Sequence, residues 1–216
     1  IIFQNSSDKS KLFRSAKVDT QKSSIINGSG IDLTKFKPKP FPKGNPVVLF
    51  ASRLIADKGV REFVDAAKVL KENGVNARFQ IAGEPDKLNP SSITDEELDS
   101  WRKGNHIELF GFCKDMSSLI SSSTIIVFPS YYGEGLPKIL IEAAACGRPV
   151  ITTDHPGCRD AIKNNISGLL VQARSVEQLS EAIVKLIKNP SLCERMGAEG
   201  RVLAEQRFDI NSVITK

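Results

Sequence analysis

From residue 46 onward the chain alternates short β-branched or aromatic runs with stretches whose apolar residues recur every three or four positions. The runs are VVLFAS, RFQIAG, HIELFG, TIIVFPS, PVITT and GLLVQ, and they are almost continuously apolar. A strand that is apolar on both faces must be covered on both faces, which is the condition of a parallel sheet with helices above and below it. Between the runs, Val60, Phe63, Val64, Ala67 and Leu70 follow helical spacing up to the Asn73-Gly74 stop. SSITDEELDSWRK offers Ser/Thr caps followed by acids, with Trp101 expected against the sheet. DMSSLISS, PKILIEAAAC and PGCRDAIK fill the next gaps, and SVEQLSEAIVKLIKN and SLCERMGAEGRVLAEQRF close the chain as two helices punctuated by Pro190. The expected class is α/β, a Rossmann-like parallel sheet flanked by helices.

Residues 1–45 differ. IIFQNS reads as a strand, SDKSKLFRS as a short helix, and SSIINGSGIDLTKF as a strand entering a turn served by Gly28 and Gly30. KPKPFPKGNP, with four prolines in ten residues, cannot be regular structure and reads as a linker. The charge divides at the same place. Residues 1–45 carry nine Lys or Arg against three Asp, and the other 171 residues carry 21 basic and 22 acidic side chains. The basic segment suits a solvated linker, or a surface lying near anionic lipid. It has no Tyr or Trp to stack bases, so nucleic acid is not expected as a partner. Four cysteines, Cys113, Cys146, Cys158 and Cys193, form no C-x-x-C pair, which argues for packed thiols in a reducing, cytoplasmic setting rather than zinc or a disulfide frame. No run of about 18 apolar residues offers a membrane span. An opening at IIFQN rather than Met reads as an excised fragment.

The chemistry concentrates in residues 130–149, SYYGEGLPKILIEAAACGRP. Two carboxylates, Glu134 and Glu142, stand eight residues apart around a glycine-framed helix start that follows a buried strand. Gly133 and Gly135 let a ligand approach the backbone, and Pro137 fits the first turn of a helix running from Lys138 to Cys146 and stopping at Gly147. Amides at that start favour an anion. At about 1.5 Å of rise per residue the carboxylates span at most ~12 Å, the ruler of a diphosphate held between two sugars. Ligands of open α/β sheets bind at this carboxyl edge.

This stretch, with VVLFASRLIADKGV, IELFGF, GRPVITTDHPG and SGLLV in order, resembles the retaining GT-B glycosyltransferases marked by an E-x7-E motif (family 4 type, group 1). The match covers about residues 25–208. The resemblance implies the donor-binding half of a GT-B fold in residues 46–216, with residues 1–45 as the end of the acceptor domain and the interdomain linker. It implies transfer of a hexose or amino sugar from a nucleoside-diphosphate sugar, UDP being the first choice, to a polysaccharide or lipid-linked acceptor. That acceptor would be held through an N-terminal domain outside this chain, at the inner face of the membrane in the full-length protein.

By the same resemblance Arg53 and Lys58 grip the diphosphate, Glu134 holds the sugar, and backbone amides of Gly135 and Leu136, beside Pro137, contact sugar and β-phosphate. Glu142 accepts from the ribose hydroxyls, and Phe112 and Cys113 border the base. Both glutamates are expected to be ionised at neutral pH. No metal or other cofactor is expected, since the chain has no D-x-D and no carboxylate-histidine cluster. Glu84 and Pro85 stand where the family often has smaller residues. A dinucleotide oxidoreductase is disfavoured, because ASRLIADKG has one glycine where G-x-G-x-x-G is needed. The remaining alternatives are a nucleotide-binding module without activity on its own and a GT-B sugar-nucleotide epimerase.

Overall fold

The computed structural model describes residues 1–15, 23–26, 28 and 30–214. A short front unit comes first, in which β1 (Ile2–Phe3) pairs in parallel with β2 (Ser24–Ile25) and α1 (Ser6–Ser15) follows β1. The six expected runs form β3 (Val47–Ala51), β4 (Arg78–Ala82), β5 (Glu108–Gly111), β6 (Ile125–Phe128), β7 (Val150–Thr153) and β8 (Gly168–Val171). They make one parallel sheet in the order β5-β4-β3-β6-β7-β8. α2 (Val60–Glu72), α3 (Asp95–Gly104), α4 (Met116–Ser121), α5 (Lys138–Ala145), α6 (Val176–Ile187) and α7 (Pro190–Arg207) cover it.

The local rules act as the residues require. β3 is buried at all five positions, and α2 turns Val60, Phe63, Val64, Ala67 and Leu70 inward. Phe50, Phe63 and Phe79 pack through the sheet–helix interface, tilted and edge-on, with ring centroids 5.7 Å and 6.2 Å apart. Thr94 and Glu97 close a capping box on α3, and Trp101 packs partly buried on the core. Gly197 lets α7 press against the Gly147 carbonyl beyond α5, where a side chain would overlap.

Four expectations need correction. PGCRDAIK makes a 3-10 turn at Arg159–Ala161 rather than an α-helix. Two helices do not end the chain, because α8 (Ile210–Ile214) follows, tied back by the Ile210 amide to the Ile31 carbonyl at 3.1 Å. Pro137 is the cap of α5 instead of its first-turn residue, and Cys146 is its C-cap. The proline-rich segment is irregular but pinned. Arg148, 1% exposed, donates to the carbonyls of Lys39 (2.9 Å), Pro40 (3.0 Å) and Ser121 (2.7 Å) and lies over the Phe41 ring. Arg201 donates to Phe36 O and Ser117 to Lys35 O, each at 2.8 Å.

Breaking a buried, multiply bonded cation is costly, so Arg148→Met should lower stability by roughly 2–4 kcal/mol in urea unfolding. Trypsin, blocked at the Lys-Pro bonds, should then cut faster after Lys43. An unchanged cleavage rate would show that something else fixes the segment.

Candidate functional site

The sheet order reverses between β3 and β6, so the loops leaving these neighbouring strands part and open a crevice at their carboxyl ends. Lys58 comes from the loop after β3, on a 3-10 turn at Ala56–Lys58, and Glu134 from the loop after β6. Their side chains meet in an ion pair between Lys58 Nζ and Glu134 Oε1. Lys58 is only 6% exposed, and its ammonium stands 4.7 Å from the centroid of the Tyr132 ring. Ser130 Oγ donates to the same Glu134 oxygen at 3.3 Å. Gly59, at φ 79°, follows Lys58, and any side chain there would overlap the Pro129 carbonyl. The two loops are tied further by the amides of Tyr131 and Tyr132, which donate to Asp57 O at 3.0 and 3.1 Å.

Arg53 is not gathered with them. Its side chain is 60% exposed and pairs with Asp86 at 2.6 Å, in the loop after β4. At the start of α5, the Leu136 amide is engaged by Gln4 Oε1 at 3.1 Å, and Gly135 lies flat against the same side chain. The expectation that these groups face an open ligand space therefore holds only once Gln4 withdraws. His155 turns its Nδ1 to the carbonyl of Pro156 at 3.1 Å.

Beyond the pair, a cavity of about 220 Å³ runs between the ends of β3 and β4, bordered by Ser52, Gly83, Phe112, Cys113, Met116 and Glu142. The structure thus joins Phe112, Cys113 and Glu142 in one place. Phe112 is 68% exposed, a ring free to cover a flat ligand. Glu142 is 7% exposed. Burial pushes its carboxyl up to about 7 against the pull of Lys138 and Lys35, with Lys138 Nζ 4.0 Å away. This corrects the expectation of a fully ionised acceptor. Burial thus brings the Glu142 carboxyl into the neutral pH range.

Sequence reasoning missed Ser130, Tyr132, Asp86, Gln4 and Asn5. Tyr132 and Ser130 lie inside the motif and could have been found by asking which neighbours of Glu134 can touch a cation or a carboxylate. Asp86, Gln4 and Asn5 carry no local signal.

The raised Glu142 pKa fixes a sign. Between 4.5 and about 7 the folded chain binds a proton that the unfolded chain releases, so this residue's contribution is fully present below 4.5 and lost as pH rises through 7. Urea unfolding should show stability falling from pH 5 to pH 8, by on the order of 3 kcal/mol at most from this group. Glu142→Gln should flatten that slope, and an unaltered slope would mean that Glu142 is ionised throughout.

The family model for Glycosyl transferases group 1 matches residues 32–203. An N,N'-diacetylbacillosaminyl-diphospho-undecaprenol alpha-1,3-N-acetylgalactosaminyltransferase of Campylobacter jejuni is 33% identical over 204 residues, covering 88% of this chain and 52% of that protein. The capsular polysaccharide biosynthesis glycosyltransferase CapM of Staphylococcus aureus is 30% identical, covering 76% of this chain and 42% of its own. The chain thus spans about half the length of the curated relatives it matches. Anabaena HepE in complex with UDP superposes with a TM-score of 0.87 at 19% identity, over 99% of this chain and 61% of that one, a likeness of fold. The sheet is a Rossmann-like domain of the GT-B fold, and the chain belongs to the group 1 glycosyltransferases.

Proposed function

We propose that this chain is the donor-binding part of a retaining glycosyltransferase, which moves a hexose or amino sugar from a nucleoside-diphosphate sugar to a polysaccharide or lipid-linked acceptor. The observation that carries the reading is the Lys58–Glu134 pair across the crevice, with the Glu142 cavity beside it. A nucleotide sugar has complementary parts in the same order. Its diphosphate takes the ammonium of Lys58 and, after release from Asp86, the guanidinium of Arg53. Its sugar hydroxyls donate to the freed Glu134, its ribose to Glu142, and its base lies against Phe112 and Cys113.

In the transfer step the bond between the anomeric carbon and the phosphate oxygen breaks, and its electron pair stays on the diphosphate. Lys58, Arg53 and the amides opening α5 stabilise that charge, so the reaction asks for no metal. The acceptor hydroxyl bonds to the anomeric carbon on the face being vacated, and its proton passes to the leaving phosphate. The acceptor would be bound by a second domain, to which residues 1–45 belong in part; the half-length match to the relatives supports this. The diphospho-undecaprenol in the name of the Campylobacter jejuni relative points to a lipid-linked acceptor. A hollow of about 500 Å³ in which Lys35, Lys37, Lys39 and Lys114 outnumber one carboxylate, Asp115, supports contact with the inner face of an anionic membrane.

Calorimetry separates the roles. Glu142→Ala should weaken UDP and the UDP-sugar alike, whereas Glu134→Ala should spare UDP and penalise the sugar-bearing donor. Equal losses for both ligands in Glu134→Ala would place the sugar elsewhere. Lys58→Ala should weaken diphosphate binding by roughly 1.5–3 kcal/mol while uridine binds as before. Unchanged affinity in a folded Lys58→Ala protein would remove the anion site from this crevice.

A further inference from the structure

The front segment reaches the crevice through two adjacent amide side chains. Asn5, 1% exposed, donates from Nδ2 to Gly135 O at 3.0 Å, to Glu134 O at 3.4 Å and to Asp8 Oδ2 at 2.8 Å. Its Oδ1 accepts from the Asp8 amide at 2.8 Å, so the side chain is locked at the start of α1. Gln4 takes the Leu136 amide. On the far side Gly157, at φ 83°, backs the same two carbonyls so closely that a side chain there would overlap them. The peptide units of Glu134 to Leu136 are therefore held on their polar edges by residues some 130 positions away and walled in behind.

Only the backbone of this loop is so held, and the backbone sets where the Glu134 carboxylate points. A displacement of about 1 Å at a positioned group can cost on the order of a hundredfold in a reaction. We propose that Asn5 is a positioning residue for the sugar-binding loop, so that recognition of the donor's sugar, as distinct from its nucleotide, depends on the front segment. This rests on the donor-site reading above.

The alternative role for Asn5 is capping α1, and substitutions separate the two. Asn5→Asp and Asn5→Ser each keep an oxygen that can cap Asp8 N and lose the donor that reaches the loop. Residues 1–216 would be titrated calorimetrically with UDP, GDP, UDP-glucose, UDP-N-acetylglucosamine and GDP-mannose, and the tightest sugar nucleotide carried forward with its parent diphosphate. Both Asn5 variants should lose about five- to twentyfold in affinity for the sugar nucleotide, the scale of one or two lost hydrogen bonds, and less than about twofold for the parent diphosphate. Asp8→Ala should leave the ratio of the two affinities unchanged. In a Glu134→Ala background the Asn5 substitution should cost less than about twofold, because its effect acts through Glu134. Equal losses for both ligands, a loss copied by Asp8→Ala, or an undiminished loss in the Glu134→Ala background would overturn the proposal while leaving the donor site standing. A wild-type chain that binds none of the five compounds would overturn the donor-site reading itself, and this inference with it.

Discussion

A lysine and a glutamate, delivered by the loops after the two strands that flank the sheet's reversal point, share one largely buried ion pair. The surrounding structure is arranged to permit it. Gly59 lets the two loops touch, Tyr132 lays its ring under the ammonium, and Ser130 supplies a hydroxyl to the carboxylate. Stability is a poor explanation for such a pair, because taking both charges out of water costs about as much as their attraction returns. A ligand offers a better one. An anion that takes over Lys58 and a hydroxyl that takes over Glu134 replace the pair without stranding either charge.

Either side of this pair the environment changes character. Towards Glu142 the walls become largely apolar, with a carboxyl that burial raises into the neutral range. Towards the front segment they are amides and carbonyls satisfied by Gln4 and Asn5. A molecule with a flat base and ribose at one end, a diphosphate in the middle and a polyol at the other meets matching chemistry along this line.

Much of this was readable from residues alone, for reasons particular to them. Six largely apolar runs read as strands, and all are, although β5 at the sheet edge is only half-buried; Thr94 with Glu97 announced a helix start. Glu134 and Glu142 stood out because glycines and Pro137 framed them. What escaped depends on contacts between distant positions. Nothing in KPKPFPKGNP reveals that Arg148, more than a hundred residues on, will bind its carbonyls. Nothing in IIFQNS shows that Asn5 will hold Gly135. The raised pKa of Glu142 has no signal in the sequence, because ionisation depends on enclosure, and enclosure is not written in an eight-residue spacing. PGCRDAIK forms only a short 3-10 turn, entered through Gly157, whose positive φ sets the chain against the Glu134 loop.

The most direct measurement is a crystal structure of this chain with a bound UDP-sugar, read at one atom, Lys58 Nζ. The account predicts that the ammonium leaves Glu134 and lies within about 3 Å of a β-phosphate oxygen, with the Glu134 carboxylate on a sugar hydroxyl. An intact Lys58–Glu134 pair, with the diphosphate bound elsewhere on the domain, would contradict it.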